Sequence, residues 1–250
     1  MSTVNSVTTD LDAVVVGAGF AGIYSLQNLR NKGFKTRVYE AAGGVGGTWY
    51  WNRYPGARCD IPSLQYSYSF DETLQQEWQW KNKYSDQADI LNYANHVVDR
   101  FDLRKDIQFD TRIVSAIFDE DHNFWTITTD AGESVTARHF VLATGCLSTS
   151  NIPEFEGFDD YQGKAYHSGR WPQEPVDLTG KKVAIIGSGS TAIQAIPAVA
   201  ELAGHLYSFQ RTPQFTIPQH NEPLNPEIEK QIKSRYATYR DENYHSPFAK

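Results

Sequence analysis

A chain of 250 residues can hold one large domain or two modest ones and bury a sizeable core. With 40% hydrophobic and 21% charged residues it has the composition of a soluble globular protein. Its net charge of −7 gives no electrostatic reason to meet nucleic acid or an anionic membrane surface.

Met1 to Leu11 is polar, without the basic and apolar stretches of a secretory signal. No later run approaches the ~18 apolar residues of a spanning helix. The two cysteines, Cys59 and Cys146, stand far apart in no CxxC or metal-ligand spacing. Sparse, unpaired thiols fit a reducing compartment. A cytoplasmic protein is expected, with no metal, no membrane and no nucleic-acid partner.

The first predicted strand runs from Asp12 to Val16 and opens on a loop, Gly17-Ala18-Gly19-Phe20-Ala21-Gly22. A helix follows over Ala21 to Lys32, stopped by Gly33, and then a strand over Thr36 to Tyr39. In such a loop the first glycine makes the tight turn and the second lets backbone approach a pyrophosphate. The last packs the helix on the strand, so that the helix N-terminus faces the anion. Glu40 ends the second strand, 23 residues after Gly17. A carboxylate there can accept hydrogen bonds from a ribose 2′- and 3′-hydroxyl pair and repels a 2′-phosphate, which suits FAD or NAD. A solvated strand end is the plainer alternative.

Residues 43–70 alternate Gly, Pro and aromatics and read as a long ordered loop. Aromatics crowd between Trp49 and Trp80, as core or as a cover for a flat cofactor ring. Gly47, Thr48 and Trp49 could bring backbone and an indole against a flavin. Arg58 and Asp60 place a cation and an anion two residues apart, in a setting expected to be aromatic and poor in water. Such a carboxylate can orient an arginine or bond a nicotinamide amide; the alternative is a structural ion pair.

Asp86 to Phe101 carries Ile90, Tyr93, Ala94, Val97, Val98 and Phe101 at helical spacing. From Ile107 the period is two, which predicts a small antiparallel sheet over Ile113–Phe118, Trp125–Thr129 and Ser134–Thr136. A separate buried strand, His139 to Ala143, then ends in Thr144-Gly145. Residues 148–180 are the expected linker. A second strand, Lys182 to Ile186, leads into Gly187-Ser188-Gly189-Ser190-Thr191-Ala192. Its helix is expected over Thr191 to Ala203 and its next strand over His205 to Gln210. That strand end carries Arg211-Thr212 instead of an acid. Arginine offers a fork of charged donors to the 2′-phosphate of NADP, against the alternative of a surface salt bridge. One charged helical stretch is predicted from Pro226 to about Asn243.

The fold class expected is α/β, with two Rossmann-like dinucleotide-binding domains, each a parallel sheet between helices. An FAD-binding domain spans 1–147, a linker 148–180 and an NADP-binding domain 181–250. The second unit stops after two strands, too few to close a doubly wound sheet, so the chain is expected to be the N-terminal part of a longer protein.

The segment Gly46-Gly47-Thr48-Trp49 through Tyr54-Pro55-Gly56 to Asp60 resembles the longer fingerprint of Baeyer–Villiger monooxygenases. Tyr161-x-Gly163-x-x-x-His167-x-x-x-Trp171-Pro172 resembles the shorter one, with Tyr161 where the family usually has Phe. Trp171-Pro172 distinguishes this family from the related N-hydroxylating monooxygenases. Phe209-Gln210-Arg211-Thr212-Pro213 resembles its NADPH phosphate segment, and Ala143-Thr144-Gly145 its strand-to-linker crossing. Ala192 stands where many members have glycine.

The resemblance implies bound FAD and NADPH, reduction of the flavin, and addition of O₂ to give a C4a-peroxyflavin. That species inserts oxygen beside a ketone carbonyl to give an ester or lactone. It implies Asp60 and Arg58 as catalytic-site residues and cofactor contacts from both glycine loops. Further contacts are implied at Glu40, Gly47, Thr48, Trp49, Cys59, Tyr66, Val114, Ala143, Thr144, Gly145, Gln194, Arg211 and Thr212. The family's peroxide-stabilising arginine falls beyond this chain, and Arg58 does not replace it. A flavin N- or S-monooxygenase and a nucleotide-binding fragment without activity are the alternatives.

Overall fold

The computed structural model describes residues 8–147 and 149–246. Most of the N-terminal stretch read for a secretory signal lies outside the described residues, as does Ser148, the first residue of the expected linker. The chain forms two compact units, the described parts of Met1–Trp51 with Leu91–Ser150 and of Asn52–Ile90 with Asn151–Lys250.

The first unit is built on β1 (Leu11–Val16). Its Ala13, Val14 and Val15 are fully buried, the continuous apolar run of a central parallel strand. Helix α1 (Phe20–Asn31) turns Gly22, Ile23, Leu26 and Gln27 inward. It ends before Gly33, whose φ of 83° only glycine adopts cheaply. Strand β2 (Thr36–Tyr39) returns parallel to β1. The short helix α2 (Thr48–Trp51) lies in the segment read as loop.

A six-stranded sheet completes this unit in the order β3-β2-β1-β6-β5-β4. Its remaining strands are β3 (Ile107–Gln108), β4 (Ile113–Asp119), β5 (Phe124–Thr129) and β6 (Ser134–Leu142). Strand β6 corrects the sequence reading, which split it into two strands. Its first half pairs antiparallel with β5 and its second half parallel with β1, and Ala137 pairs with both. One strand therefore joins the dinucleotide sheet to the meander. Leu11, Val14, Tyr39, Ile127 and Ala137 form a shared core beneath the join.

The second unit contains α3 (Glu72–Glu77), which the sequence reading missed, capped by the Asp71 carboxylate on the Leu74 amide at 2.7 Å. Helix α4 (Gln87–Arg100) begins in this unit and continues into the first; Ile90, Tyr93, Ala94, Val97 and Val98 are buried as its periodicity predicts. Strand β7 (Lys182–Ile186), helix α5 (Ser190–Ala200) and strand β8 (His205–Phe209) make the second strand–helix–strand motif, with β7 and β8 parallel. Ile186 at 68% and Phe209 at 56% leave this small sheet with exposed apolar side chains.

The predicted charged helix is two helices, α6 (Pro226–Lys233) and α7 (Tyr236–Tyr244). The break lets α7 fasten to the 64–68 stretch. Tyr236 O–H donates to Leu64 O at 3.0 Å, and Arg240 donates to Gln65 O at 2.8 Å and Ser67 Oγ at 2.7 Å.

Backbone packing in the first loop gives a direct test. A Cβ on Gly22 would lie 1.8 Å from Gly17 O, while one on Gly189 in the second loop meets nothing within 4 Å. Gly22→Ala should lower the midpoint of chemical denaturation by at least the ~1–3 kcal/mol typical of overpacking. Gly189→Ala should leave it nearly unchanged.

Burial also sets an alkaline limit. It pushes the Cys59 thiol and the Tyr39, Tyr54 and Tyr236 phenols above their ordinary values. Raised folded values mean that the unfolded chain loses these protons first. Stability should be unaffected by them below the ordinary thiol range and fall as pH rises through it. Thermal melting from pH 7 to 10 checks this. At pH 8 an alkylating reagent should modify exposed Cys146 well before Cys59.

Candidate dinucleotide sites

The first loop is held by bare backbone. Gly17 has φ 102°, its N–H donates to Tyr39 O at 2.8 Å, and a Cβ there would meet Ala143 O at 2.6 Å. Gly47, at φ 53°, would carry its Cβ to 2.8 Å from the Gly19 Cα. Gly46 N–H donates to Ala18 O at 3.0 Å. So Gly17, Ala18, Gly19, Gly47 and Ala143 come together, followed by Phe20, Ala21 and Gly22 in the first turn of α1. Gly19 is the N-cap and supplies no side-chain acceptor to the first turn, the kind of helix N-terminus that suits an anion. Thr48 and the buried Trp49 begin α2, while Thr144 and Gly145 follow β6 and are exposed. A flat anion chain fits this cradle, where any Cβ on Gly17 or Gly47 would intrude.

Glu40 is only 6% exposed, and its carboxylate is already engaged. Oε2 accepts the Ala18 N–H at 2.6 Å and Oε1 accepts the Ala42 N–H at 2.8 Å. The solvated strand end is therefore corrected: this acid is buried and ties the phosphate loop to the chain beyond β2. Each carboxylate oxygen keeps a second lone pair, which leaves acceptor capacity for a ribose hydroxyl. Val114 lies on β4, three strand positions from β1, and is 59% exposed. It is an expected contact of this unit that the loop does not gather.

In the second unit Gly187 has φ 125° and its N–H donates to Phe209 O at 2.8 Å, repeating the tight turn of the first loop. Ser188 Oγ donates to Thr212 O at 2.8 Å and so binds the loop to the Arg211-Thr212 strand end. Arg211 is exposed, with no carboxylate of the described residues within salt-bridge distance. Ser190 and Thr191 form the first turn of α5, and Gly189 is its N-cap without a side-chain acceptor.

The fingerprint residues Arg58, Cys59 and Asp60 sit in this second unit, against α5. Arg58 and Asp60 do not form the structural ion pair considered from sequence. Arg58 Nε donates to Gly56 O at 3.4 Å, and Asp60 Oδ1 accepts from Gln194 Nε2 at 3.0 Å. Asp60 is exposed, which corrects the expectation of a dry setting. Arg58 borders a cavity of about 350 Å³ shared with Tyr54, Asp86 and Ala198. Cys59 is buried, its N–H donating to Ser85 O at 2.9 Å. Tyr66 is half-buried, its N–H donating to Pro62 O at 3.1 Å. Tyr54 is a site residue that sequence reasoning passed over; its hydroxyl meets Gln194 across 140 residues of chain, with no local signal. His167 accepts the Gly169 N–H at Nδ1 and donates from Nε2 to Asn151 O at 3.1 Å, a packed linker histidine.

No described helix is long and apolar enough to cross a membrane. The family model described as pyridine nucleotide-disulphide oxidoreductase matches residues 11–238. A phenazine N-monooxygenase of Lysobacter antibioticus is 49% identical over 91% of this chain and 42% of its own length. A Baeyer–Villiger monooxygenase of Pseudooceanicola batsensis is 47% identical over 92% of this chain and 42% of its own. Among solved structures, an oxidized steroid monooxygenase bound to NADP superposes with a TM-score of 0.90 at 52% identity, over 92% of this chain and 44% of that one. The chain thus spans less than half the length of the relatives it matches. Its two strand–loop–helix motifs and these matches agree: the chain belongs to the pyridine nucleotide-disulphide oxidoreductase family, and its relatives include Baeyer–Villiger monooxygenases.

Proposed function

We propose that this chain carries the FAD-binding and NADPH-binding loops of a flavin monooxygenase that inserts oxygen beside a ketone carbonyl. The observation that carries the reading is the seating of Arg58 and Asp60 on the helix that follows the second glycine loop. A pair of charged groups is thereby held beside a nucleotide site, where a nicotinamide and a flavin have to meet. In this reading residues 1–147 contribute the FAD domain, 148–180 the linker and 181–250 the NADP domain.

FAD and NADPH, when bound, would supply the hydride and oxygen chemistry. The protein's part is to bind and orient. The amides around Gly17–Gly22 receive the FAD pyrophosphate and Glu40 the ribose, with Gly47, Thr48, Trp49, Ala143, Thr144 and Gly145 around the rest. Gly187–Thr191 receive the NADPH pyrophosphate, and Arg211 with Thr212 the 2′-phosphate. Asp60 accepts a hydrogen bond from the nicotinamide amide, and Arg58 supplies positive charge beside it. Small ketones and O₂ are the proposed substrates. The 49%-identical phenazine N-monooxygenase supports a second reading, oxygen transfer to a ring nitrogen. Offering the full-length parent protein a cyclic ketone and an N-heteroaromatic separates the two: lactone supports the first, N-oxide the second.

Two substitutions test the binding roles. Arg211→Ala should remove a charge-assisted phosphate contact of about 1.5–3 kcal/mol, weakening NADPH at least roughly tenfold. NADH should be nearly unaffected, and titration calorimetry with both coenzymes checks it; equal losses would overturn the assignment. Glu40→Ala should strand two backbone N–H groups in the interior, at roughly 1–3 kcal/mol each. Denaturation should register that loss without nucleotide, and FAD retention on gel filtration should fall with it.

A further inference from the structure

The side chain of Gln194 is the most completely engaged polar group in the second unit's site. Its Oε1 accepts from Tyr54 O–H at 2.9 Å and from Arg58 N–H at 3.2 Å. Its Nε2 donates to Arg58 O at 3.1 Å and to Asp60 Oδ1 at 3.0 Å. A primary amide has two acceptor lone pairs and two donor hydrogens, so every one of the four is used. The orientation is fixed by its neighbours, because Arg58 N–H can only donate and Arg58 O can only accept. Asp60 therefore faces a donor, never the amide oxygen.

The surroundings are shaped for this contact. Gly56 holds φ 81°, and a Cβ on it would lie 2.2 Å from Gln194 O and 3.3 Å from the Ala198 Cβ. Only glycine lets the 54–60 segment lie so close on α5. Tyr54, Arg58 and Asp60 are thus all referred to one side chain of the helix that carries the second loop.

We propose that Gln194 is a positioning residue that fixes the Asp60 carboxylate relative to the second glycine loop and acts on bound coenzyme only through Asp60. The proposal rests on the functional reading above for the role of Asp60, and it replaces the expected direct contact of Gln194 with nucleotide. An amide with no free donor or acceptor has nothing left to offer a ligand.

Two measurements on the 250-residue chain test it. Without nucleotide, limited trypsin digestion reads how firmly the segment is held at Arg58. Gln194→Ala should speed nicking there by about tenfold or more, while the global melting temperature moves little. With nucleotide, NADP⁺ affinity is compared across Asp60→Ala, Gln194→Ala and the double variant. Each single change should weaken binding about tenfold, the worth of one hydrogen bond to a charged group. The double variant should be no weaker than either single one, the mark of two residues acting as one. A hundredfold loss in the double variant would show that Gln194 touches the coenzyme itself and would overturn the proposal. Unchanged nicking at Arg58 would overturn the latch. Failure of the unsubstituted chain to bind NADP⁺ would overturn the functional reading instead, with the nicking result then deciding the latch.

Discussion

Backbone lying directly on backbone is the constraint on which the first unit depends. At Gly17, Gly22 and Gly47 a single methyl group would collide with a carbonyl or a Cα at 1.8–2.8 Å. The start of the loop is held from two sides, by the sheet and by the 46–47 turn. Gly17 N–H is bonded to β2 at Tyr39 O, and Gly46 N–H to Ala18 O. The buried Glu40 carboxylate then draws in the Ala18 amide. Strand order, helix approach and the open cradle all follow from that packing. The second loop has the same turn at Gly187 with open space around it, so packing among the described residues does not demand its glycines.

Much of this architecture is legible because its strands are buried on both faces. Val14 and Val15 can only be a central strand, and Gly33 can only end the helix before it. The alternation of Ile113–Phe118 and Trp125–Thr129 marks the meander equally well. The reading fails where one residue serves two partners. At Ala137 the strand changes from an antiparallel neighbour to a parallel one, and the local alternation breaks without any break in the strand. Strand β3 is two residues long and too short to show a period. The gap between α6 and α7 has no Gly or Pro; it arises from Tyr236 and Arg240 reaching the 64–68 stretch, which no local pattern reports.

The candidate site divides in the same way. The glycine loops and the strand-end residues Glu40 and Arg211 are visible because the strand–loop–helix–strand motif fixes their spacing along the chain. What those side chains already bind is not visible. Glu40 is found at a strand end by spacing, yet its two bonds to Ala18 and Ala42 emerge only from the folded turn. Cys59 is implied by the resemblance as a cofactor contact; in the fold it is buried, and burial holds its thiol above the ordinary range. That places it with the packing of the second unit rather than with nucleophilic chemistry.

The 52–60 segment follows the first nucleotide motif in sequence, but it packs with the second. Its Cys59 N–H and Ala57 O pair with Ser85 and Gln87, and its Cys59 O accepts from Gln219 Nε2 at 3.4 Å. Lys83 and Lys81 in turn pair with Glu222 and Leu224. Arg58 and Asp60 are therefore held from both sides by residues of the second unit, by α5 through Gln194 and by the 219–224 stretch through the 81–87 strip. A carboxylate on a free loop would trade its geometry for entropy each time a ligand arrived. Held by one hydrogen bond to an amide that three further bonds fix in turn, Asp60 has met part of that cost on folding. The orientation of that carboxylate is then set by the protein before any ligand arrives.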